Sequence, residues 1–438
     1  MENRKNRLRI CIEEQWRNSL PEVKKRKTEL KIKGDLINDV VGPRRAGKTS
    51  LMYSTIKKLR EKEERKAIIY INFENRKLFP LNPEYFNYLV EIIHEEGLLD
   101  KSGQIYVFLD EVQKIQGWEN YVRSIYDEFK GRIKIFISGS TSKLTKSKLS
   151  HLLTGRHLTT LVFPLSFAEY LEFNGVEYRG IVTEKERAKI EKHLKQYLTL
   201  GGFPEVVLTK NDELIETLLL DVINRDITPK VKHKEVVEDI AYFLTSYVAK
   251  LTSFTKLSKL LKNRGIKVSV PTLEKYFWLM KDSFIFFDTQ IFSYKAKDQL
   301  QYPRKIYCID NGFVNYFGFK FSEDKGRMLE NSVAIHLYRE SLENKKTKMY
   351  YWKSKEGYEV DFVLKEGLKV KQLIQACWDT SDYDTHKRET KALFKAGEEL
   401  QCNNLLVITE NCEGREKVKG KTIRYTPLWK WLLAKNSR

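Results

Sequence analysis

The stretch Gly42-Pro43-Arg44-Arg45-Ala46-Gly47-Lys48-Thr49 restricts the architecture of this chain more than any other. It fits G-x-x-x-x-G-K-[ST]. An apolar run, Leu36–Val41, precedes it. Ser50–Lys62 follows, with Leu51, Met52, Thr55, Ile56 and Leu59 on one helical face. A strand, a glycine-rich turn and a helix in that order close backbone N–H groups around phosphate at a helix N-terminus. The spacing predicts phosphate contacts from Gly42 to Ser50. Lys48 is expected to reach the β- and γ-phosphates of ATP, and the Thr49 hydroxyl to bind Mg2+.

Further apolar runs follow at Ala67–Phe73, Ile105–Leu109, Ile133–Ile137 and Leu158–Phe163, with helical segments between them. That alternation predicts an α/β fold with the parallel sheet of a P-loop NTPase, covered on both faces. The strand Ile105–Leu109 ends in two acids. Asp110 is expected to complete the Mg2+ shell, and Glu111 to act as general base on the attacking water. The next strand runs into Ser138-Gly139-Ser140. A hydroxyl there, taken as Ser140, is expected to sense the γ-phosphate.

Five segments are expected along the chain: a charged helical segment at 1–34, an ATPase core at 35–165, a helical lid at 166–235, a winged helix-turn-helix at 236–305 and a smaller α/β domain at 306–438. The winged-helix reading rests on two short helices, Ser253–Lys262 and Pro271–Leu279, followed by the β-like run SFIFFDTQIFSY. Gly265 allows the sharp turn between the helices. Here the net charge of +20 enters the argument, because a surplus that large favours a polyanion partner. Between Thr228 and Lys305 there are 15 Lys and Arg against 7 Asp and Glu. If the second helix enters a major groove, Lys267, Ser269, Thr272, Lys275 and Lys281 are its contact candidates, mostly to phosphate. DNA, duplex or branched, is therefore the expected partner, and Lys24–Lys27 adds a second basic cluster.

GPRRAGKTS, FLDEVQKIQGWE, ISGSTSKL, LTGRHLTTLVFPLSFAEYL and YLTLGGFPE occur in this order. Together they resemble the prokaryotic AAA-type ATPases abundant in archaea, related to the STAND ATPases. Arg156 resembles the arginine that approaches the γ-phosphate, in cis or from a neighbouring subunit; the second alternative implies a homo-oligomer. Pro204 resembles a lid proline that contacts adenine. The resemblance also implies a C-terminal restriction-endonuclease-like domain of the PD-(D/E)xK class. Glu330 and Asp361 match its metal-holding acids. Where acid-x-Lys is expected, the chain has Gln375-Ala376-Cys377, with Lys369 or Lys371 as conceivable substitutes. The expectation is a nuclease-like fold with lost or feeble cleavage.

The five cysteines form no CxxC or Cys/His cluster, which argues against structural zinc and a disulfide-stapled secreted domain. No 18-residue apolar run and no signal-peptide pattern is present, so a cytoplasmic protein without membrane contact is expected. The leading expectation is an Mg2+-dependent ATPase acting on DNA. A nucleotide-controlled regulatory switch with slow turnover and an active ATP-dependent nuclease are the alternatives.

Overall fold

A computed structural model describes residues 2–101, 103–140, 155–180, 182–318 and 325–434. Parts of the motifs ISGSTSKL and LTGRHL lie outside the described residues. The chain forms two compact units, residues 1–163 and 164–438.

The first unit is built on a parallel sheet of order β2-β3-β4-β1-β5. Its strands are β1 (Ile37–Val41), β2 (Ile68–Asn72), β3 (Ile105–Asp110), β4 (Ile133–Gly139) and β5 (His157–Leu161). They coincide with the five apolar runs. The first four are buried along nearly their whole length, as a sheet covered on both faces requires. Among the described residues its α-helices are α1 (Glu2–Arg17), α2 (Lys48–Arg60), α3 (Tyr85–Glu95), α4 (Leu98–Lys101) and α5 (Trp118–Glu128). Because β4 lies between β3 and β1 and all three are parallel, the loops after these strands meet at the carboxyl end of the sheet. That is where α/β sheets of this kind hold their ligands.

The N-terminal segment is part of this unit. Leu8, Ile12 and Trp16 are buried, and the Trp16 indole N–H donates to Ile68 O at 3.0 Å. The basic cluster Lys24–Lys27 is not wholly a solvent face either. Arg26 is buried and donates to Ala46 O at 2.8 Å and to Phe163 O at 3.0 Å, bracing the glycine-rich turn.

The second unit holds a mixed nine-stranded sheet of order β13-β14-β12-β11-β10-β9-β7-β8-β6. Its strands are β6 (Leu251–Thr252), β7 (Phe286–Ile291), β8 (Arg304–Cys308), β9 (Thr347–Lys353), β10 (Glu359–Glu366), β11 (Lys369–Ala376), β12 (Leu405–Thr409), β13 (Gly414–Val418) and β14 (Lys421–Pro427). Within it, Glu235–Thr245, β6, Phe254–Asn263, Val270–Asp282, β7 and β8 follow in the order αβααββ, apart from the short helix Ala296–Gln301 inserted between β7 and β8, with β6 and β7 both antiparallel to β8. β7 then pairs in parallel with β9. The sheet therefore runs across the boundary expected at 305/306. The boundary at 235/236 also falls inside this unit. The helices expected to form a lid share a core with the C-terminal sheet: Phe167, Tyr170, Ile190, Leu194 and Tyr197 belong to one apolar cluster with Val333, Phe362, Ile374 and Leu406.

Candidate active site

The turn after β1 is shaped by its glycines. A Cβ on Gly42 would lie 1.9 Å from Val162 O, so no other residue fits beneath the neighbouring strand. Arg45 (φ 58°) and Gly47 (φ 98°) take left-handed backbone, and Gly47 starts α2 without a side-chain cap. The first turn of α2 carries Lys48, Thr49 and Ser50 and no acid, so its amide N–H groups present positive charge to the loop. Lys48 is buried and donates to Gly42 O at 3.1 Å and Pro43 O at 3.0 Å.

Asp110 ends β3 with no exposed surface and gathers three hydroxyls. Thr49 Oγ1 donates to its Oδ2 at 2.7 Å and the Tyr70 hydroxyl to the same oxygen at 2.8 Å, while Ser138 Oγ donates to Oδ1. Burial, reinforced by the Asp110 charge, raises the Tyr70 phenol far above its ordinary range and keeps it a donor. Glu111 stands in left-handed backbone (φ 56°), and its N–H donates to Ser138 Oγ at 3.0 Å. Burial pushes the Glu111 carboxyl above the usual carboxylate range; Asp110 adds to that, while Lys48 and Arg44 oppose it. Gln113 Nε2 donates to Glu111 Oε2 at 2.5 Å and to Ser140 Oγ at 3.4 Å. Arg44 and Lys114 both reach Glu74, at 3.5 and 3.3 Å.

The structure therefore brings together Lys48, Thr49, Asp110 and Glu111 as expected from the motifs. It differs over the serine: Ser138 contacts Asp110, and Ser140 contacts Gln113. The two serines are two residues apart on an extended segment and share a face, and Ser138 is the one level with the strand end. Tyr70 and Gln113 were not anticipated. The signal for Tyr70 was a polar group inside an otherwise aliphatic buried run.

The register also bears on Arg156. His157 is paired with Ile37, the first residue of β1, and Arg156 O accepts from Ile37 N at 2.8 Å. The phosphate loop follows the other end of β1, about 16 Å away for five residues of strand. Arg156 Nε instead meets Asp127 Oδ1 of α5 at 3.1 Å. The approach in cis does not fit this geometry.

Pro204 lies in the second unit, at the start of the short helix Pro204–Thr209. The glycines before it have their own structural reason. Gly202 N donates to Asp310 Oδ2 at 2.7 Å, and a Cβ on Gly201 would lie 1.7 Å from Asp310 Oδ1.

The C-terminal acids are also brought together, but around a lysine from elsewhere. Lys305 Nζ, on β8, lies 2.7 Å from Asp361 Oδ1, 2.7 Å from Glu359 Oε1 and 3.0 Å from Glu330 Oε1. Burial alone would lower its ammonium, but Asp361 and Glu330 outweigh that and hold it well above its ordinary value. Asp361 Oδ2 accepts from Ala376 N at 2.9 Å, and Gln375 binds Glu389 at 2.6 Å. Burial pushes the Cys377 thiol up to about 12. Lys371 pairs with Glu366 at 3.3 Å at the far end of β11. Among the described residues no group of three or more His, Cys, Asp or Glu is arranged to hold a metal ion; the oxygens of Glu330 and Asp361, the acids expected to hold one, meet Lys305 instead.

Of the DNA-contact candidates, Lys267 and Lys275 are exposed. Ser269 caps Val270–Asp282, accepting from Thr272 N at 3.3 Å, and its Oγ lies 2.8 Å from Thr272 Oγ1. Lys281 is drawn onto the buried Asp288, which Arg304 also binds at 2.7 Å. Burial would raise the Asp288 carboxyl, yet the two cations hold it below its ordinary value. Lys281 is therefore committed within the fold. Among the described residues no helix is long and apolar enough to cross a membrane.

Residues 35–171 match the family model for an AAA domain, 191–324 a domain of unknown function, DUF8612, and 325–431 another, DUF4143. The chain is 33% identical to uncharacterized protein MJ1544 of Methanocaldococcus jannaschii, covering 97% of this chain and 96% of that one. An uncharacterized protein of Haemophilus influenzae is 28% identical over 70% of this chain and 75% of its own length. Among solved structures, the Walker-type ATPase PABY2304 of Pyrococcus abyssi aligns at 12% identity and a TM-score of 0.41, over 72% of this chain and 94% of that one.

Proposed function

The chain is an AAA-domain protein belonging to the family of MJ1544, and on that premise we propose that it is an Mg2+-dependent ATPase that acts on DNA through a C-terminal unit that does not cleave. The observation that carries the reading is the Thr49–Asp110 contact at 2.7 Å beside a buried Lys48. A hydroxyl and a carboxylate side by side are the oxygen donors Mg2+ takes in such sites. Bound there, Mg2+ neutralises phosphate charge. Lys48 leaves its loop carbonyls for the β- and γ-phosphates, and the α2 amides orient them. Ser138 fixes both Asp110 and the Glu111 backbone, and Glu111 accepts the proton of the attacking water. Arg156, at the amino end of the sheet, serves the site of a neighbouring copy, which implies a homo-oligomer.

The DNA part rests on charge and on the αβααββ order, which supports a winged helix with Val270–Asp282 as its second helix. Lys267, just before that helix, and Lys275, on it, are exposed cations. Contacts of this kind hold phosphate and weaken steeply with salt. A second reading, a nucleotide-controlled switch with slow turnover, is favoured by Gln113 resting on Glu111 at 2.5 Å.

Turnover of the full chain with and without duplex DNA tests these readings. Lys48→Ala and Glu111→Gln are each expected to lower turnover by on the order of 100-fold or more. Turnover of Lys48→Ala equal to wild type overturns the site. Stimulation by DNA that is lost in Lys267→Glu/Lys275→Glu supports the DNA reading; slow turnover indifferent to DNA supports the switch.

A further inference from the structure

A PD-(D/E)xK fold brings an expectation of a divalent cation between its acids. In this chain a side chain stands there instead. Lys305 is 2% exposed, and its ammonium has three N–H donors. Three carboxylate oxygens surround it at 2.7–3.0 Å: Glu359 Oε1, Asp361 Oδ1 and Glu330 Oε1. Two of these contacts are hydrogen bonds, to Asp361 and Glu330, and Glu359 completes the shell as an ion pair. Two of the three carboxylates are also held from other sides. Tyr307 donates to the same Glu330 oxygen at 2.8 Å, and the second oxygen of Asp361 is held by Ala376 N at 2.9 Å. A metal ion would need the same inward oxygens, and they are taken.

We propose that Lys305 is a built-in cation that fills the metal position of this pocket, so that the pocket excludes divalent ions and acts as a joint. The joint connects three pieces that are distant in sequence. Lys305 comes from β8, the last strand of the αβααββ segment; Glu330 comes from the helix Lys325–Glu343; Glu359 and Asp361 come from β10. A buried ammonium that satisfies three acids ties its strand to both partners, because withdrawing it leaves three carboxylates facing one another without a counter-charge. The αβααββ segment and the C-terminal strands then move as one body. This deepens the non-cleaving reading given above and rests on it only for the expectation of a metal.

The test is Mn2+ binding by the full chain, followed by electron paramagnetic resonance of the free ion, with no nucleotide present. Wild type and Asp361→Asn are expected to bind Mn2+ equally, because the pocket contributes nothing in either. Lys305→Met keeps the side-chain length without the charge. It is expected to gain one bound Mn2+ per chain, which Lys305→Met/Asp361→Asn loses again. A folded Lys305→Met chain that gains no ion overturns the proposal. Wild type and Asp361→Asn also decide between them: Mn2+ bound in wild type and lost in Asp361→Asn overturns it, whether or not Lys305→Met folds. DNA incubated with Mn2+ separates this failure from that of the underlying reading. Binding at the pocket without cutting sinks the built-in cation only, while cutting that Asp361→Asn abolishes sinks both.

Discussion

Gln113 Nε2 donates to Glu111 Oε2 at 2.5 Å, so the residue two places along the chain holds the carboxylate assigned as general base. A donor on a carboxylate favours its charged form. Burial works the other way and raises Glu111 above the usual range. A base is active only when deprotonated, so turnover falls as pH drops through that raised value. In Gln113→Ala the carboxylate loses its donor, and this acid limb is expected to move to higher pH, by about one unit for a charge-assisted bond of ordinary strength. The pH profile of kcat for the two proteins checks it; an unmoved limb means that Gln113 does not tune Glu111.

The two serines after β4 should separate cleanly. Ser138 bridges the Asp110 carboxylate and the Glu111 N–H. Removing its hydroxyl leaves a buried donor and a buried acceptor each short of a partner, at a cost of about 1–3 kcal/mol apiece. Ser140 meets Gln113 Nε2 at 3.4 Å, on the far side of the pair. Ser138→Ala is expected to lower kcat at least tenfold more than Ser140→Ala under saturating ATP and Mg2+. Equal losses would return the sensing role to Ser140.

Arg156 makes a sharper case, because sheet register separates it from its own phosphate loop by the length of β1. If it serves a neighbouring copy, Arg156→Ala and Lys48→Ala fail for complementary reasons. Each is expected to be nearly inactive alone. An equimolar mixture is expected to regain turnover, since some interfaces pair an intact loop with an intact arginine. No recovery after mixing, with exchange of subunits verified by native mass spectrometry, argues against the shared site.

The parts of this protein that could be read from its sequence are those decided by short-range pattern. Four of the apolar runs became β1 to β4 because strands buried on both faces carry a continuous signal, and the fifth overlaps the half-buried β5. Lys48, Thr49, Asp110 and Glu111 stood at strand and helix ends that the motifs locate to the residue. What stayed hidden depends on register and on contacts across long separations. Nothing near Arg156 indicates that His157 aligns with Ile37. Nothing near Lys305 indicates that its ammonium meets Asp361, 56 residues on, where acid-x-Lys was sought only on the adjoining strand. The same holds for Arg26, counted with the basic surface and found beneath Ala46 and Phe163. A long cationic side chain is equally at home in solvent and on buried carbonyls, and local sequence does not distinguish the two.

Asp310 offers a prediction that tests the long-range part. Its carboxyl is wholly buried against the two glycines of GGFPE. Burial raises it to about 7, against the pull of the N–H groups of Gly202 and Gly312. An unfolded Asp titrates near 4. Between those values the folded chain holds a proton that the unfolded chain has released. Stability of the second unit therefore falls as pH rises from about 4 to about 7 and levels off above, by on the order of 4 kcal/mol if the whole shift is realised. In Asp310→Asn nothing titrates there, and that slope is expected to vanish. Gly201→Ala should be costly at every pH, because its methyl would sit 1.7 Å from Asp310 Oδ1. Pro204→Ala removes no such contact and should cost under about 1 kcal/mol, as at an ordinary helix start. Urea unfolding of the three variants at about pH 5 and about pH 8 reads all of this at once, and a wild-type chain equally stable at both would show that Asp310 stays ionised in its glycine seat.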